Sequence, residues 1–275
     1  MAKTSREFAV RSLSAAALAS VAIALAWWDG IYLTAGVAIV AAISILELRS
    51  MSIAAGWGFA LLPALFLAGF FVVRPQLTDA HRLTADVTAT LVIALTLSIR
   101  FVVRPRRKRA IAWFAGVVGA FYIGGLGSVF VALRGFSEGF IWVLLAFVAI
   151  WAYDTGAYLG GRFFGKHFFA PRISPKKTWE GVAAGAGAVL ICVVIFEIVL
   201  PIEAWHIPIL SVLLAVAAQA GDLLESALKR VAGVKNSGSL IPGHGGILDR
   251  IDSLLLAGPV VYVYASFITD SGPFA

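Results

Sequence analysis

Nine apolar runs, near 12–28, 31–47, 52–73, 84–103, 111–133, 139–159, 180–200, 206–224 and 248–268, constrain this chain more than any other feature. A helix needs roughly 20 apolar residues to cross a hydrocarbon core of about 30 Å. Strands of a membrane barrel are shorter and alternate in polarity, which these runs do not. The expectation is an all-α, polytopic integral membrane protein with about nine transmembrane helices. Composition agrees, since 13% of the 275 residues are charged against roughly 25% in soluble domains. A hydrophobic fraction of 60% likewise excludes a disordered chain. The single cysteine, Cys192, cannot form an intrachain disulfide.

A net charge of +7 in so apolar a chain points to a membrane edge, and no nucleic-acid partner is expected. With the N-terminus cytoplasmic, 19 of the 22 Lys and Arg residues fall in inner segments and only Arg74, Arg82 and Arg134 in outer ones. The positive-inside rule predicts that asymmetry, and it sets the C-terminus outside. The run Arg104-Pro105-Arg106-Arg107-Lys108-Arg109 reads as a topology anchor against anionic lipid. Ala24-Leu25-Ala26 resembles a signal-cleavage site, but a second apolar run follows almost at once, which favours a retained span. Without long linkers or repeats, residues 1–275 read as a single membrane domain. Its N-terminal helices (1–135) form a lipid-facing scaffold, and 136–275 carries the chemistry on two cytoplasmic loops.

Carboxylates within spans cost about 2.5–3.5 kcal/mol each on insertion scales, so they need a partner, a water-filled cavity or a metal. Asp222, Glu225, Ser226 and Lys229 fall at i, i+3, i+4 and i+7, on one helix face. Asp249, Asp252 and Ser253 repeat the spacing where the ninth run begins. Two antiparallel helices joined by a short loop can turn these faces toward each other, the construction a hard divalent cation requires. Taken singly, a Glu225–Lys229 ion pair and Asp249 as a helix cap remain open readings.

Between the two faces, Gly243, Gly245 and Gly246 of Pro242-Gly243-His244-Gly245-Gly246 free the backbone to aim N–H groups at an anion. Lys229, Arg230, Lys235 and Arg250 add cations. Metal-type carboxylates beside phosphate-type donors suggest phosphoryl or nucleotidyl transfer. A plain turn stays open for the glycine stretch, and His244 reads as a general acid, a phosphate donor or a turn residue. In the other loop, Asp154 is a third intramembrane carboxylate. Gly160-Gly161-Arg162-Phe163-Phe164-Gly165-Lys166-His167 nearly matches a Walker A loop. It fails because His167 takes the Ser/Thr position and an apolar helix precedes it. In Ser174-Pro175-Lys176-Lys177-Thr178-Trp179-Glu180-Gly181, Ser174 suits an N-cap and Pro175 the first helical position. Lys176 and Lys177 would then crowd the helix's positive end, which favours a bound phosphate or lipid head group.

The stretch Ser226–Asp252, S-A-L-K-R-V-A-G-V-K-N-S-G-S-L-I-P-G-H-G-G-I-L-D-R-I-D, closely resembles the signature of phosphatidate cytidylyltransferases, also called CDP-diacylglycerol synthases. Asp154–Gly181, with Ser-Pro-Lys-Lys-Thr-Trp-Glu-Gly, resembles that family's other cytoplasmic segment. The resemblance implies transfer of a cytidylyl group from CTP to phosphatidic acid by direct displacement, in the plasma (inner) membrane with the site facing the cytoplasm. By the same resemblance, Asp222 and Asp249 hold Mg²⁺, with a second divalent ion or K⁺ as a variant. Lys229, Arg230, His244 and Arg250 engage phosphates. Ser174, Lys176 and Lys177 contact the lipid phosphate or CTP, and Asp154, Glu225, Lys235, Gly243, Gly245 and Gly246 line the substrate. A homodimer, assembled through the N-terminal helices, is also implied. One departure stands out: Asn236 follows Lys235 where the family usually has Asp, which keeps a carbonyl ligand but loses a charge. Competing expectations are a CTP-dependent enzyme for another lipid phosphate or alcohol, a transporter, and an inactive scaffold.

Overall fold

The computed structural model describes residues 2–28, 30–103, 107–241 and 245–267. These are all-helical, with no strand among them and two isolated bridge pairs. The helices are α1 (Ala2–Trp28), α2 (Gly30–Ala54), α3 (Leu61–Val73), α4 (Asp79–Val103), α5 (Arg107–Ala120), α6 (Leu126–Arg134), α7 (Gly139–Phe164), α8 (Trp179–Glu197), α9 (His206–Val231) and α10 (Leu248–Phe267). Among the described residues, six helices are long and apolar enough to cross a membrane: Gly30–Ala54, His81–Ile99, Arg107–Arg134, Gly139–Phe164, Trp179–Glu197 and His206–Val231. Arg104 to Arg106 of the basic run, and the tail beyond Phe267, lie outside the described residues.

The third expected span differs from its prediction. The apolar run at 52–73 is broken: α2 continues to Ala54, and Gly56 and Gly58 take left-handed backbone with φ of 77° and 73°. Ser52 Oγ donates to Gly58 O at 2.6 Å, closing the turn. The remaining helix, α3, has 13 residues, or about 20 Å at 1.5 Å per residue, short of a full hydrocarbon core.

Two compact units make up the chain, residues 1–131 with 229–250 and residues 132–228 with 251–275. In the first, α5 and the turn that follows it approach α3 and its N-cap Ala60 through small residues. A Cβ on Gly116 would stand 2.6 Å from Ala60 O, and one on Gly124 would stand 2.8 Å from the Ala68 Cβ. A π-turn at Phe121–Gly125 joins α5 to α6. In the second unit, α7 and α8 meet along a seam of Gly156 and Gly160 against Ala184, Gly185 and Ala188. In lipid, where apolar burial gives little drive between helices, such small residues let backbones close and gain dispersion. Trp142 of α7, fully buried, lies 6.0 Å from the Tyr264 ring of α10.

Candidate active site

Asp249 lies in the first turn of α10 and is held by several donors. Its Oδ1 accepts from Lys229 Nζ at 2.6 Å, with side chains 15% (Lys229) and 6% (Asp249) exposed. Its Oδ2 accepts from Ser237 N (3.0 Å) and Gly246 N (2.8 Å) and stands 3.0 Å from Ser237 Oγ. The lysine and two backbone amides hold this buried carboxylate, and both amides belong to the glycine-rich loop or its stem. Gly245 takes φ of 87°, and a Cβ there would stand 2.5 Å from Asp249 Oδ2. Lys229 is delivered by the end of α9. There Gly233, at φ 69°, returns its N–H to Arg230 O and Val234 N bonds Lys229 O, a left-handed C-cap.

A second buried carboxylate completes this cluster, and it is a residue that sequence reasoning missed. Glu47, 8% exposed in α2, accepts from Ile247 N (3.0 Å) and Leu248 N (2.8 Å) at the start of α10. It accepts from Ser237 Oγ as well, at 3.0 Å. Amides that the glycine pattern offers to an anion therefore take a carboxylate of the chain itself. Orphan N–H groups at a helix start favour such a partner both by hydrogen bonding and by the helix dipole. The sequence signal was available, since Glu47 is a carboxylate at the end of an apolar run.

In the other unit, Lys177 Nζ meets Asp222 Oδ2 at 2.6 Å, with side chains 19% and 37% exposed. Ser226 Oγ donates to Asp222 Oδ1 at 3.2 Å, so the expected i,i+4 face of α9 is real. Helices α9 and α10 cross tightly beside Asp222. A Cβ on Gly221 would stand 2.5 Å from Asp252 O, and Ser253 Oγ donates to Ala218 O at 3.1 Å. Glu225 is fully buried and Asp252 nearly so.

The Ser174-Pro175 helix start is corrected. Thr178 caps α8, its Oγ1 accepting from Gly181 N at 3.2 Å, and the helix begins at Trp179. Ser174 instead sits in a turn, its N–H bonded to Ala170 O and its carbonyl accepting from Lys177 N. Lys176 and Lys177 thus precede the helix, and Lys177 is directed to Asp222. Glu180, also missed, lies in the first turn of α8. Its Oε1 is 2.5 Å from His167 Nδ1, and its Oε2 accepts from the Lys166 and His167 amides at 3.2 Å each. Residues Gly160–Phe164 complete α7, which agrees with rejecting a Walker A loop.

Arg230, Lys235 and Arg250 are exposed around the first cluster, Asp154 is exposed on α7, and Asn236 is exposed just before Ser237. Pro242, Gly243 and His244 lie outside the described residues. Asp222 and Asp249 offer carboxylate oxygens, the donor type a hard divalent ion takes. Half-buried Asp222 has an accessible edge, whereas both oxygens of Asp249 are already occupied by donors. Among the described residues, no group of three or more His, Cys, Asp and Glu side chains gathers to hold a metal.

Residues 9–268 match the family described as Cytidylyltransferase family. The chain is 39% identical over 154 residues to the phosphatidate cytidylyltransferase of Brucella suis, covering 55% of this chain and 57% of that protein. It is 44% identical over 146 residues to the Bacillus subtilis protein of the same name, covering 52% and 54%. A third relative so named, from Staphylococcus saprophyticus, is 45% identical over 133 residues, covering 46% and 50%. The matched stretch spans about half the length of these curated relatives.

Proposed function

The chain belongs to the cytidylyltransferase family, and on that premise we propose that it transfers the cytidylyl group of CTP to phosphatidic acid. The products are CDP-diacylglycerol and pyrophosphate, as the printed names of the relatives suggest. The observation that carries the reading is a pair of lysine–aspartate bridges, Lys177–Asp222 and Lys229–Asp249, one for each of the two polar motifs. Each couples a phosphate-type cation to a metal-type carboxylate, so that a bound polyphosphate takes over the lysine and leaves oxygen for an ion.

In the reaction, an oxygen of the phosphatidate phosphate forms a bond to the α-phosphorus of CTP. The bond from that phosphorus to the β-phosphate oxygen breaks, and pyrophosphate leaves with its electron pair. The nucleophile is already an anion, so the chain needs no serine or cysteine nucleophile and no strong base. Lys177, Lys229, Arg230 and Arg250 hold the phosphates in line, with Ser174, Lys176 and Lys235 at the substrate edge. Asp222 and Asp249 are the residues that would hold Mg²⁺, alone or with a second cation, and the ion would neutralise charge on the triphosphate.

The distribution of Lys and Arg supports nine membrane segments with the N-terminus and the site on the cytoplasmic side, and the membrane proposed is the plasma membrane. Short α3 is retained in that count, because omitting it would move the basic run at 104–109 outside. A homodimer is proposed with it. The test is pyrophosphate release from detergent-purified protein with CTP, dioleoyl phosphatidic acid and Mg²⁺, against no-lipid and EDTA controls. Release that requires all three, with matching CDP-diacylglycerol, is expected. Release with another lipid acceptor and not with phosphatidic acid would refute the substrate.

A further inference from the structure

Outside the residues assigned to substrate or metal, Glu47 makes the most consequential set of contacts. It projects from α2, some 200 residues away in sequence from its partners, and its carboxylate fills the amide cradle at the start of α10. The fit leaves no slack. A Cβ on Gly238 would stand 2.5 Å from Glu47 Oε1, and one on Gly246 would collide with both Glu47 and Ser237. Ser237 links the two buried carboxylates, its Oγ standing 3.0 Å from Glu47 Oε2 and 3.0 Å from Asp249 Oδ2. A hydroxyl has one proton to donate. Asp249 Oδ2 already accepts two backbone amides, so the Ser237 proton is best used on Glu47, while Ser237 N holds Asp249.

We infer that Glu47 is a positioning residue for the proposed cytidylyl transfer: by clamping Ser237 and the Ile247 and Leu248 amides, it sets the place and orientation of Asp249. The inference rests on that proposed reaction. It also means that these two amides serve the chain's own carboxylate and are not a phosphate site.

Glu47→Gln preserves the volume but turns an NH₂ group toward donors, whereas Glu47→Asp keeps the charge at shorter reach. In purified full-length protein, Glu47→Gln should lower kcat by about tenfold or more, since small misplacements of catalytic groups are costly. KM for CTP should stay within about twofold, and Glu47→Asp should recover a substantial part of kcat. Deuterium exchange across residues 245–248 should speed up in the Gln variant and less in the Asp variant. A purely structural role would lower the amount of folded protein without this split between kcat and KM. Unchanged kcat in Glu47→Gln, or a lowered KM showing that CTP phosphates gain the vacated amides, would overturn the inference. If the wild type turns over no phosphatidic acid, the proposed reaction fails, and unchanged exchange in Glu47→Gln would then refute the clamp by itself.

Discussion

Replacing Asp249 by Asn removes one charge from the centre of the first cluster, and the structure sets what this costs. Lys229 Nζ lies 2.6 Å from Oδ1, and with side-chain exposures of 15% and 6% neither partner is well solvated. An amide cannot satisfy both ends. With its NH₂ toward Lys229 it opposes an ammonium, and with its NH₂ toward Oδ2's partners it opposes two amide donors. Breaking a buried pair from one side typically costs 3–5 kcal/mol, so about 3 kcal/mol is expected given the residual exposure of Lys229. Asp249→Asn with Lys229→Met should recover most of that loss, because removing both charges leaves no uncompensated ion. The assay is loss of helicity on titrating denaturing into mild detergent, for the wild type, both single variants and the double variant. A Asp249→Asn cost below about 0.5 kcal/mol, or a double variant no more stable than Asp249→Asn, would refute the buried-pair reasoning. Turnover should be lost in Asp249→Asn and should not return in the double variant, which separates stability from chemistry.

Thr178→Ala should destabilise α8 by about 1 kcal/mol, the usual worth of an N-cap, while Ser174→Ala should leave unfolding unchanged within error; equal effects would restore Ser174 as the cap. Lys177→Met should cost under about 1 kcal/mol, since Asp222 is partly solvated, yet lower kcat/KM for CTP by tenfold or more. Unchanged kcat/KM would remove Lys177 from the site.

The helices were legible because lipid demands continuous apolar length, and each apolar run lies largely in helix. The break at 55–60 had a signal in Gly56-Trp57-Gly58, but hydropathy averages across it. The face of α9 was legible because Asp222 and Ser226 obey a local periodicity. Ser174 satisfies the local preference for a cap, but that preference does not fix where the helix starts; Thr178, packed between Gly161 and Gly181, takes the position instead. Glu47 was not found because a contact over 200 residues leaves no periodic trace. The glycine pattern announces an anion without saying that the anion is internal.

The segment between α7 and α8 is no slack tether. Its ends leave helices held close at Gly156, which packs on Ala184 O, and at Gly160, which packs on the Ala184 side chain, and its stem is tied by Trp179 N to His167 O and by Phe169 N to Lys177 O. Closing such a segment costs entropy that grows only slowly with length. Residues added at its tip, near Arg172, therefore change the reach of Lys177 very little, whereas one residue added between Lys177 and Thr178 shifts the ammonium relative to Asp222 by up to about 3.5 Å. Natural or engineered length variation should be tolerated at the tip and excluded from the stem.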